Sequence, residues 1–116
     1  MRSTQEILDH HLDCFGRGDL DGILTDYSPA AVMFTPTGAL KGPAAMRPVF
    51  QAIFKEFGQP GTTFSMAHRS VEGEFAYIVW SAETADNVYE MGTDTFVVRN
   101  DQIAVHSFAL KVRPKR

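Results

Sequence analysis

The sequence is typical of one small globular domain. It has 116 residues, of which 44% are hydrophobic and 22% charged, which suits a single domain with its own core. The formal net charge of −3, with basic residues clustered only in the tail at 111–116, argues against nucleic-acid binding. Cys14 is the only cysteine, so neither an intramolecular disulfide nor a thiolate metal cluster is expected. With no leader-like or membrane-spanning apolar run, the sequence predicts a cytoplasmic protein that does not engage a membrane.

The first quarter of the chain predicts two helices. Ser3 and Glu6 have capping-box spacing, and apolar residues then recur at helical spacing until Gly16–Gly18. Asp19 is suited to cap a short second helix. We expect this helix to end near Tyr27–Pro29, because the residue before a proline disfavours helix.

The next segment predicts one short strand and a long third helix. Ala31–Thr35 has the composition of a strand, and residues 36–38 form a turn signal. Gly42–Pro43 is a typical helix start, and a full apolar stripe then continues until Gly58. The stripe consists of Met46, Val49, Phe50, Ile53, Phe54 and Phe57. Pro48, inside this helix, allows a local kink.

The second half of the chain predicts four long strands, because β-branched and aromatic residues alternate with polar ones. The predicted strands are Thr62–Ser70, Glu74–Ala85, Tyr89–Arg99 and Gln102–Val112. Their connections have hairpin length, so we expect an antiparallel meander. The order α-α-β-α-β-β-β-β predicts an α+β fold in which a curved antiparallel sheet packs against three helices. Such a cone leaves a pocket between the sheet and the helices.

Several motifs support a family resemblance that covers nearly the whole chain. They are Gly18–Ile23, Tyr27–Gly38, Gly42 and Gly92–Phe96. With these motifs the sequence resembles the nuclear transport factor 2-like superfamily and, within it, the SnoaL-like polyketide cyclases and the ketosteroid isomerases. The resemblance implies a single cone-shaped domain over residues 1–116, and it is consistent with a homodimer. It does not fix an activity, because one fold hosts many chemistries.

The ketosteroid isomerase resemblance implies three site positions. A general-base aspartate corresponds to Thr35, a helix-one tyrosine to His11, and a hydrogen-bonding aspartate to Asp94. Only Asp94 matches, and a threonine hydroxyl is too weak a base for carbon acids. Since Asp94 lies among apolar residues, we expect its pKa to be raised and its carboxyl to donate a proton.

Two histidines and a tyrosine have two interpretations each. If His106 shares a face with Phe108, it points inward and forms an acid/base pair with Asp94, whereas a one-residue register slip turns it outward. We expect His68 to lie on the same face as Phe64 and Met66. There it either binds the ligand or is an ordinary core histidine. Tyr27 lines the pocket or is buried against a backbone partner.

The helix stripe and the inward strand positions together predict the pocket. Its expected lining is Tyr27, Phe34, Met46, Phe50, Phe54, Asp94 and Phe108, with His11, Thr35, His68 and Phe96 as further ligand contacts. No metal or nucleotide motif is present, so we expect neither a metal nor a cofactor.

The preferred function is binding of a small apolar organic molecule, with isomerisation, cyclisation or dehydration by Asp94 and His106. The alternative is a non-catalytic ligand-binding or dimerisation module. Tyr77, Trp80, Tyr89 and Met91 fall on central strands, and an apolar outer face there predicts a homodimer through the sheet.

Overall fold

The computed structural model describes residues 1–115 and contains three helices and six strands in this range. The helices are α1 (Thr4–Arg17), α2 (Leu20–Leu24) and α3 (Pro43–Phe57). The strands are β1 (Tyr27–Thr35), β2 (Gly38–Lys41), β3 (Thr63–Glu72), β4 (Phe75–Glu83), β5 (Asn87–Arg99) and β6 (Gln102–Pro114). None of these helices combines the length and apolar character needed to cross a bilayer.

The six strands form one curved, unclosed sheet in the order β2-β1-β6-β5-β4-β3. The predicted α+β fold is confirmed, and β3 to β6 form the expected antiparallel meander. The sheet is nevertheless mixed, because β1 runs parallel to β6. The β5–β6 hairpin turns at Asn100 and Asp101, whose φ values of 51° and 67° are typical of a type I′ turn.

The helix ends follow local signals, except that α2 is shorter than predicted. Ser3 and Glu6 form the expected capping box of α1, and Gly18 ends the helix in the left-handed conformation. Helix α2 ends at Leu24 instead of near Tyr27, because Tyr27 already pairs with Ile103 of β6. The Ile103 N–H donates to the Asp26 carbonyl at 2.7 Å, so tertiary pairing stops the helix before the proline does.

The segment before α3 holds two strands where the sequence predicts one. Strand β2 pairs antiparallel with β1, and the Thr35 hydroxyl donates to the Gly38 carbonyl across the turn, at 2.9 Å. Only Leu40 of β2 is half-buried, so the strand has no alternating apolar pattern to reveal it. Helix α3 then starts at Gly42, whose φ of 81° favours glycine, and continues through Pro48 without a break.

A bulge in β3 changes the face of the sheet on which the side chains of the second half of the strand lie. Met66 pairs with Trp80 of β4, whereas His68 pairs with Val79, so the register shifts by one between them. Met66 therefore faces the helices, and His68 is exposed on the other side next to Tyr77. The prediction that His68 shares a face with Phe64 and Met66 is wrong for this reason.

The core lies between the concave face of the sheet and the two long helices. Ile7 and Leu8 of α1, Met46 and Phe50 of α3, and Phe96 of β5 are each at most 3% exposed. The convex face is uncovered and carries several large apolar side chains. Among them Phe34 is 50%, Phe75 53%, Tyr77 41% and Met91 47% exposed.

Candidate active site in the cone

The concave side of the sheet and the helices enclose a cavity of about 80 Å³, here called the inner cavity. Its wall is formed by α1, α3 and strands β1 and β3 to β6. The apolar lining residues are Leu12, Phe15, Met33, Val49, Phe50, Ile53, Phe57, Phe64, Ile78, Phe108 and Leu110. The residues that bring polar groups to it are His11, Trp80, Tyr89, Asp94 and His106.

A chain of hydrogen bonds connects four side chains at this cavity. Asp94 Oδ2 lies 2.7 Å from His106 Nε2, and Asp94 Oδ1 accepts from Trp80 Nε1, also at 2.7 Å. On the other side of the imidazole, His106 Nδ1 lies 2.7 Å from the Tyr27 hydroxyl. His106 is 3% exposed and Asp94 14%, so the chain is shielded from water but Asp94 reaches the cavity.

The strand register explains why these groups meet. Asp94 pairs with Phe108 across β5 and β6, and Phe96 pairs with His106. Since paired residues of an antiparallel sheet share a face, His106 and Phe108 both point inward, which is the first of the two predicted orientations. Phe96 stacks on the His106 ring at a centroid distance of 4.2 Å and fixes its plane.

Asp94 is ionised, contrary to the raised pKa expected from its apolar neighbours. Burial does raise the pKa of Asp94, but the hydrogen bonds from His106 and Trp80 lower it further than burial raises it. The pKa therefore lies below its usual value, and Asp94 is a hydrogen-bond acceptor at neutral pH. Its Oδ2 therefore accepts from His106 Nε2–H, and the other ring nitrogen, Nδ1, faces the Tyr27 hydroxyl.

Tyr27 stays protonated in this arrangement. Burial, with a smaller contribution from the Asp94 charge, raises the pKa of Tyr27 well above its usual value. Its hydroxyl can therefore donate to His106 and hold the ring in the Nε2–H tautomer, the one that Asp94 needs. Tyr27 lies behind His106 and does not line the inner cavity.

His11 is a neutral imidazole in the cavity wall. Burial, reinforced by the nearby His106, lowers the pKa of His11 to about 3. Among residues 1–115, its Nδ1 is the buried side-chain polar atom without a hydrogen-bond partner. A buried polar atom without a partner is costly, and a polar group of a bound ligand would relieve this cost.

Gly92 makes room for the Trp80 indole. The two residues pair across β4 and β5, and a Cβ at position 92 would overlap the indole ring. The ring therefore lies directly on the β5 backbone, two residues from Asp94, which places Nε1 within hydrogen-bond distance of its carboxylate. The prediction that Trp80 and Tyr89 lie on the outer face is wrong, because both are buried and line the inner cavity. The alternation of Ile78, Trp80 and Ala82 as inward residues could have revealed this.

A second, wider cleft adjoins the inner cavity and opens between the ends of α1 and α3 and strand β3. This outer cleft has a volume of about 500 Å³. The two spaces are neighbours, because they share the lining residues Leu12, Phe15, Phe57 and Phe64.

The structure brings together only part of the predicted ligand-binding set. His11, Phe50, Asp94, His106 and Phe108 line the inner cavity. Phe54 lines the outer cleft. Met46 and Phe96 are buried in the core without lining either space.

Three predicted site residues lie away from the cavity. Phe34 pairs with Ser107 and points to the convex face, and His68 points the same way beyond the β3 bulge. Thr35 is at the β1–β2 turn, where its hydroxyl is bonded to the Gly38 carbonyl.

A separate polar cluster lies next to α1, away from the inner cavity. Asp26 is fully buried and accepts from Arg2 Nη1 at 2.7 Å, and its Oδ2 lies 2.7 Å from His10 Nδ1. Cys14 Sγ is 3.5 Å from His10 Nε2, but burial raises the pKa of the Cys14 thiol, which disfavours a reactive thiolate. No group of three metal-ligating side chains comes together within residues 1–115.

Residues 8–106 match the model of the SnoaL-like domain. The chain belongs to the SnoaL-like family. No curated protein matches it.

Solved structures share the fold across nearly the whole chain. The epoxide hydrolase/cyclase-like enzyme SalBIII, which acts in pyran ring formation in the polyether salinomycin, superposes with a TM-score of 0.79 at 16% identity. That match covers 96% of this chain and 95% of SalBIII. An NTF2-like protein from Mesorhizobium loti has a TM-score of 0.74 at 22% identity, covering 93% and 90%. A candidate ketosteroid isomerase from Kribbella flavida has a TM-score of 0.75 at 12% identity, covering 93% and 77%. At these identities the likeness shows the fold of this SnoaL-like domain and not its activity.

Proposed function

We propose that this SnoaL-like protein binds a small, mostly apolar organic molecule in the cone and catalyses proton transfer on it without a cofactor. The observation that carries the proposal is the ionised Asp94, bonded at 2.7 Å to a buried His106 in an otherwise apolar cavity. A carboxylate that reaches an apolar space is suited to take a proton from a bound substrate. Isomerisation, cyclisation and dehydration all include such a step.

Each polar side chain has a distinct part in this mechanism. Asp94 removes the proton, and Trp80 and His106 hold its two oxygens in place. Tyr27 positions His106 from behind. His11 offers a neutral imidazole to a substrate oxygen, and the hydrogen bond would stabilise the negative charge that develops there.

Deuterium exchange tests the proton-transfer step without knowledge of the natural substrate. β-Tetralone, a bicyclic apolar ketone, is incubated with the protein in deuterium oxide, and loss of the proton signals next to its carbonyl is followed by NMR. We expect the protein to accelerate exchange over buffer. Asp94→Asn should slow the protein-dependent rate by about 10²–10⁴-fold, the usual contribution of a positioned base.

Glu90→Gln is the matched control, because Glu90 is a carboxylate on the same strand whose side chain is 40% exposed and bonded to basic residues of β6. It should leave the exchange rate unchanged. Binding of β-tetralone, seen as a change in the fluorescence of the single tryptophan Trp80, without any exchange would favour the non-catalytic binding module. Exchange that survives Asp94→Asn would contradict the assignment of the base.

We also propose that the protein forms a homodimer through the convex face of the sheet. Phe75, Tyr77 and Met91 lie there with exposures of 41–53%, and association through this face would remove these large apolar side chains from water. Light scattering should then give twice the chain mass of 12.9 kDa. Tyr77→Glu should yield a monomer, whereas Gln51→Glu on the exposed side of α3 should not. A wild-type monomer at micromolar concentration would contradict the proposal.

A further inference from the structure

We infer that Arg2 and Asp26 are positioning residues for the proposed active site and that they act through Tyr27. Asp26 directly precedes Tyr27 in the chain. The Tyr27 hydroxyl in turn bonds to His106, the partner of Asp94. Neither Arg2 nor Asp26 lines the inner cavity, so both act without touching the substrate. This inference rests on the proposed function, since it takes Asp94 as the base that His106 supports.

The pairing between β1 and β6 is interrupted just after Tyr27. Tyr27 itself pairs with Ile103 of β6. The next paired residue of β1 is Val32, opposite Val105, so the step from 27 to 32 on β1 matches the step from 103 to 105 on β6. Such an irregularity disrupts the ladder of backbone hydrogen bonds. The position of Tyr27 therefore depends on contacts other than regular strand pairing.

Arg2 supplies such contacts, because it connects the start of β1 to the turn between β5 and β6. Its Nη1 donates to Asp26 Oδ1 at 2.7 Å. Its backbone N–H donates to Asp101 Oδ1 at 2.7 Å, and its Nη2 donates to the Asp101 carbonyl at 3.2 Å. Asp101 lies in the turn that leads to Ile103, whose N–H donates to the Asp26 carbonyl. Arg2 therefore holds together the two backbone segments that meet at Tyr27.

The Asp26 carboxylate needs its partners, because its side chain is fully buried. Its Oδ1 accepts from Arg2, and its Oδ2 lies 2.7 Å from His10 Nδ1. A buried charge that loses its partner is strongly destabilising, so these contacts fix the carboxylate in place. Its charge also acts on Tyr27. Burial raises the pKa of Tyr27, and the charges of Asp94 and Asp26 raise it further, which keeps the hydroxyl protonated as a donor.

A displaced Tyr27 would weaken the support of the base. His106 Nδ1 lies 2.7 Å from the Tyr27 hydroxyl, and Nε2 lies 2.7 Å from Asp94. If the hydroxyl moves away, the imidazole can slide in the plane that Phe96 sets, and the bond to Asp94 lengthens. Misplacement of a catalytic group by roughly 1 Å can cost about 10²-fold in rate. Loss of Arg2 should therefore slow proton transfer without changing the affinity for the substrate.

A double-mutant cycle tests whether Arg2 acts through Tyr27. Arg2→Gln removes the cation, and Tyr27→Phe removes the hydroxyl. The exchange of β-tetralone protons is measured at neutral pH as a function of ketone concentration. Each single variant should lower kcat about tenfold to a hundredfold and leave KM unchanged. The double variant should be no slower than Tyr27→Phe alone, because the effects of residues that act as one unit do not add.

Two further variants separate this effect from a general loss of structure. Arg47→Gln is the matched control, because Arg47 forms an exposed ion pair with Asp21 at 2.8 Å and lines neither the inner cavity nor the outer cleft. It should leave kcat unchanged. Asp101→Gly frees one end of Arg2 but leaves the cation beside Asp26, and glycine suits the φ of 67° there. It should lower kcat with KM unchanged, even if Arg2→Gln does not fold.

Nitrogen NMR of isotope-labelled protein gives a measurement that needs no activity. The signal of His106 Nδ1 depends on whether this nitrogen accepts a hydrogen bond, and Tyr27→Phe defines its position without that bond. Arg2→Gln and Asp101→Gly should both move the signal towards this position, whereas Arg47→Gln should not.

The inference is overturned if the His106 signal stays at its wild-type position in the folded variants, or if the rate losses of Arg2→Gln and Tyr27→Phe multiply in the double variant. Failure of the proposed function looks different. In that case the wild-type protein does not accelerate exchange of β-tetralone protons, and the His106 signal alone decides whether Arg2 positions Tyr27.

Discussion

His11 and Asp94 are both buried at one cavity, yet their partners give them different charges. Burial disfavours the charged form of each group. Asp94 receives hydrogen bonds from His106 and Trp80, which stabilise the carboxylate, and it stays ionised. His11 has no such partner, because its Nδ1 makes no hydrogen bond within residues 1–115, and burial therefore keeps the imidazole neutral. The cavity therefore combines one acceptor anion with one neutral imidazole.

The neutral state of His11 makes folding stability depend on pH. Burial lowers the pKa of His11 from 6.5 to about 3, so between these values the unfolded chain binds a proton that the folded chain excludes. The free energy of unfolding should fall as pH decreases through this window, by up to about 1.4 kcal/mol per pH unit from this group. His11→Phe removes the group and should flatten the dependence, as measured by urea unfolding between pH 4.5 and 7.5.

His68→Gln is the control variant. It alters an exposed histidine on the convex face and should leave the pH dependence of the free energy of unfolding unchanged. Asp94 titrates below its ordinary value of 3.8, so it loses its contribution at lower pH than the range measured. An unchanged slope in His11→Phe would show that His11 is not the group responsible.

The sequence identified Asp94 as a site residue but not its charge state. Its neighbours along the chain are apolar, and from them a raised pKa is the natural expectation. The decisive partners come from other strands: Trp80 is 14 residues and His106 12 residues away. Their hydrogen bonds depend on strand register, which period-two alternation does not determine by itself.

At the scale of elements, local signals predicted the helix starts and the long strands, while tertiary pairing determined the exceptions. Capping residues mark α1, and an apolar stripe marks α3. The parallel pairing of β1 with β6, the short strand β2 and the β3 bulge carry no such local signal. The bulge had the largest effect on the site, because one extra residue moves His68 from the predicted pocket to the convex face.

The site requires strands β4 and β5 to approach each other closely at Gly92. In Gly92→Ala the new methyl group would overlap the Trp80 indole, and the ring would have to move away from Asp94. Overpacking of this kind costs about 1–3 kcal/mol of the free energy of unfolding. We expect that loss in urea unfolding, together with a changed Trp80 emission spectrum.

Gly16→Ala is the control for this change, since a methyl group there meets nothing within 4 Å and the residue lies in α1. It should raise the free energy of unfolding by about 0.5–1 kcal/mol through helix propensity. Equal stability of the two variants would mean that the β4–β5 contact has more freedom than the structure shows.

At the scale of the whole molecule, the fold locates a site but does not name a reaction. The same cone is found in SalBIII and in a candidate ketosteroid isomerase, at identities of 16% and 12%. Discrimination between such activities depends on the side chains that line the cone and on the space left between them. In this chain the lining side chains include Asp94 with its partners His106 and Trp80, and the space is a narrow inner cavity next to a wider cleft.

This arrangement predicts that the protein does not accelerate ketosteroid isomerisation. The position that the family resemblance assigns to the general base holds Thr35, whose hydroxyl is bonded to Gly38 at the β1–β2 turn and does not line the cavity. The space beside Asp94, about 80 Å³, is also small for a rigid four-ring skeleton to enter far enough to react. The measurement is the appearance of the conjugated enone by ultraviolet absorbance, with exchange of β-tetralone protons as the positive control on the same preparation. Steroid turnover above buffer that is abolished in Asp94→Asn would show that the cavity widens to admit the rings and that Asp94 alone supplies the base.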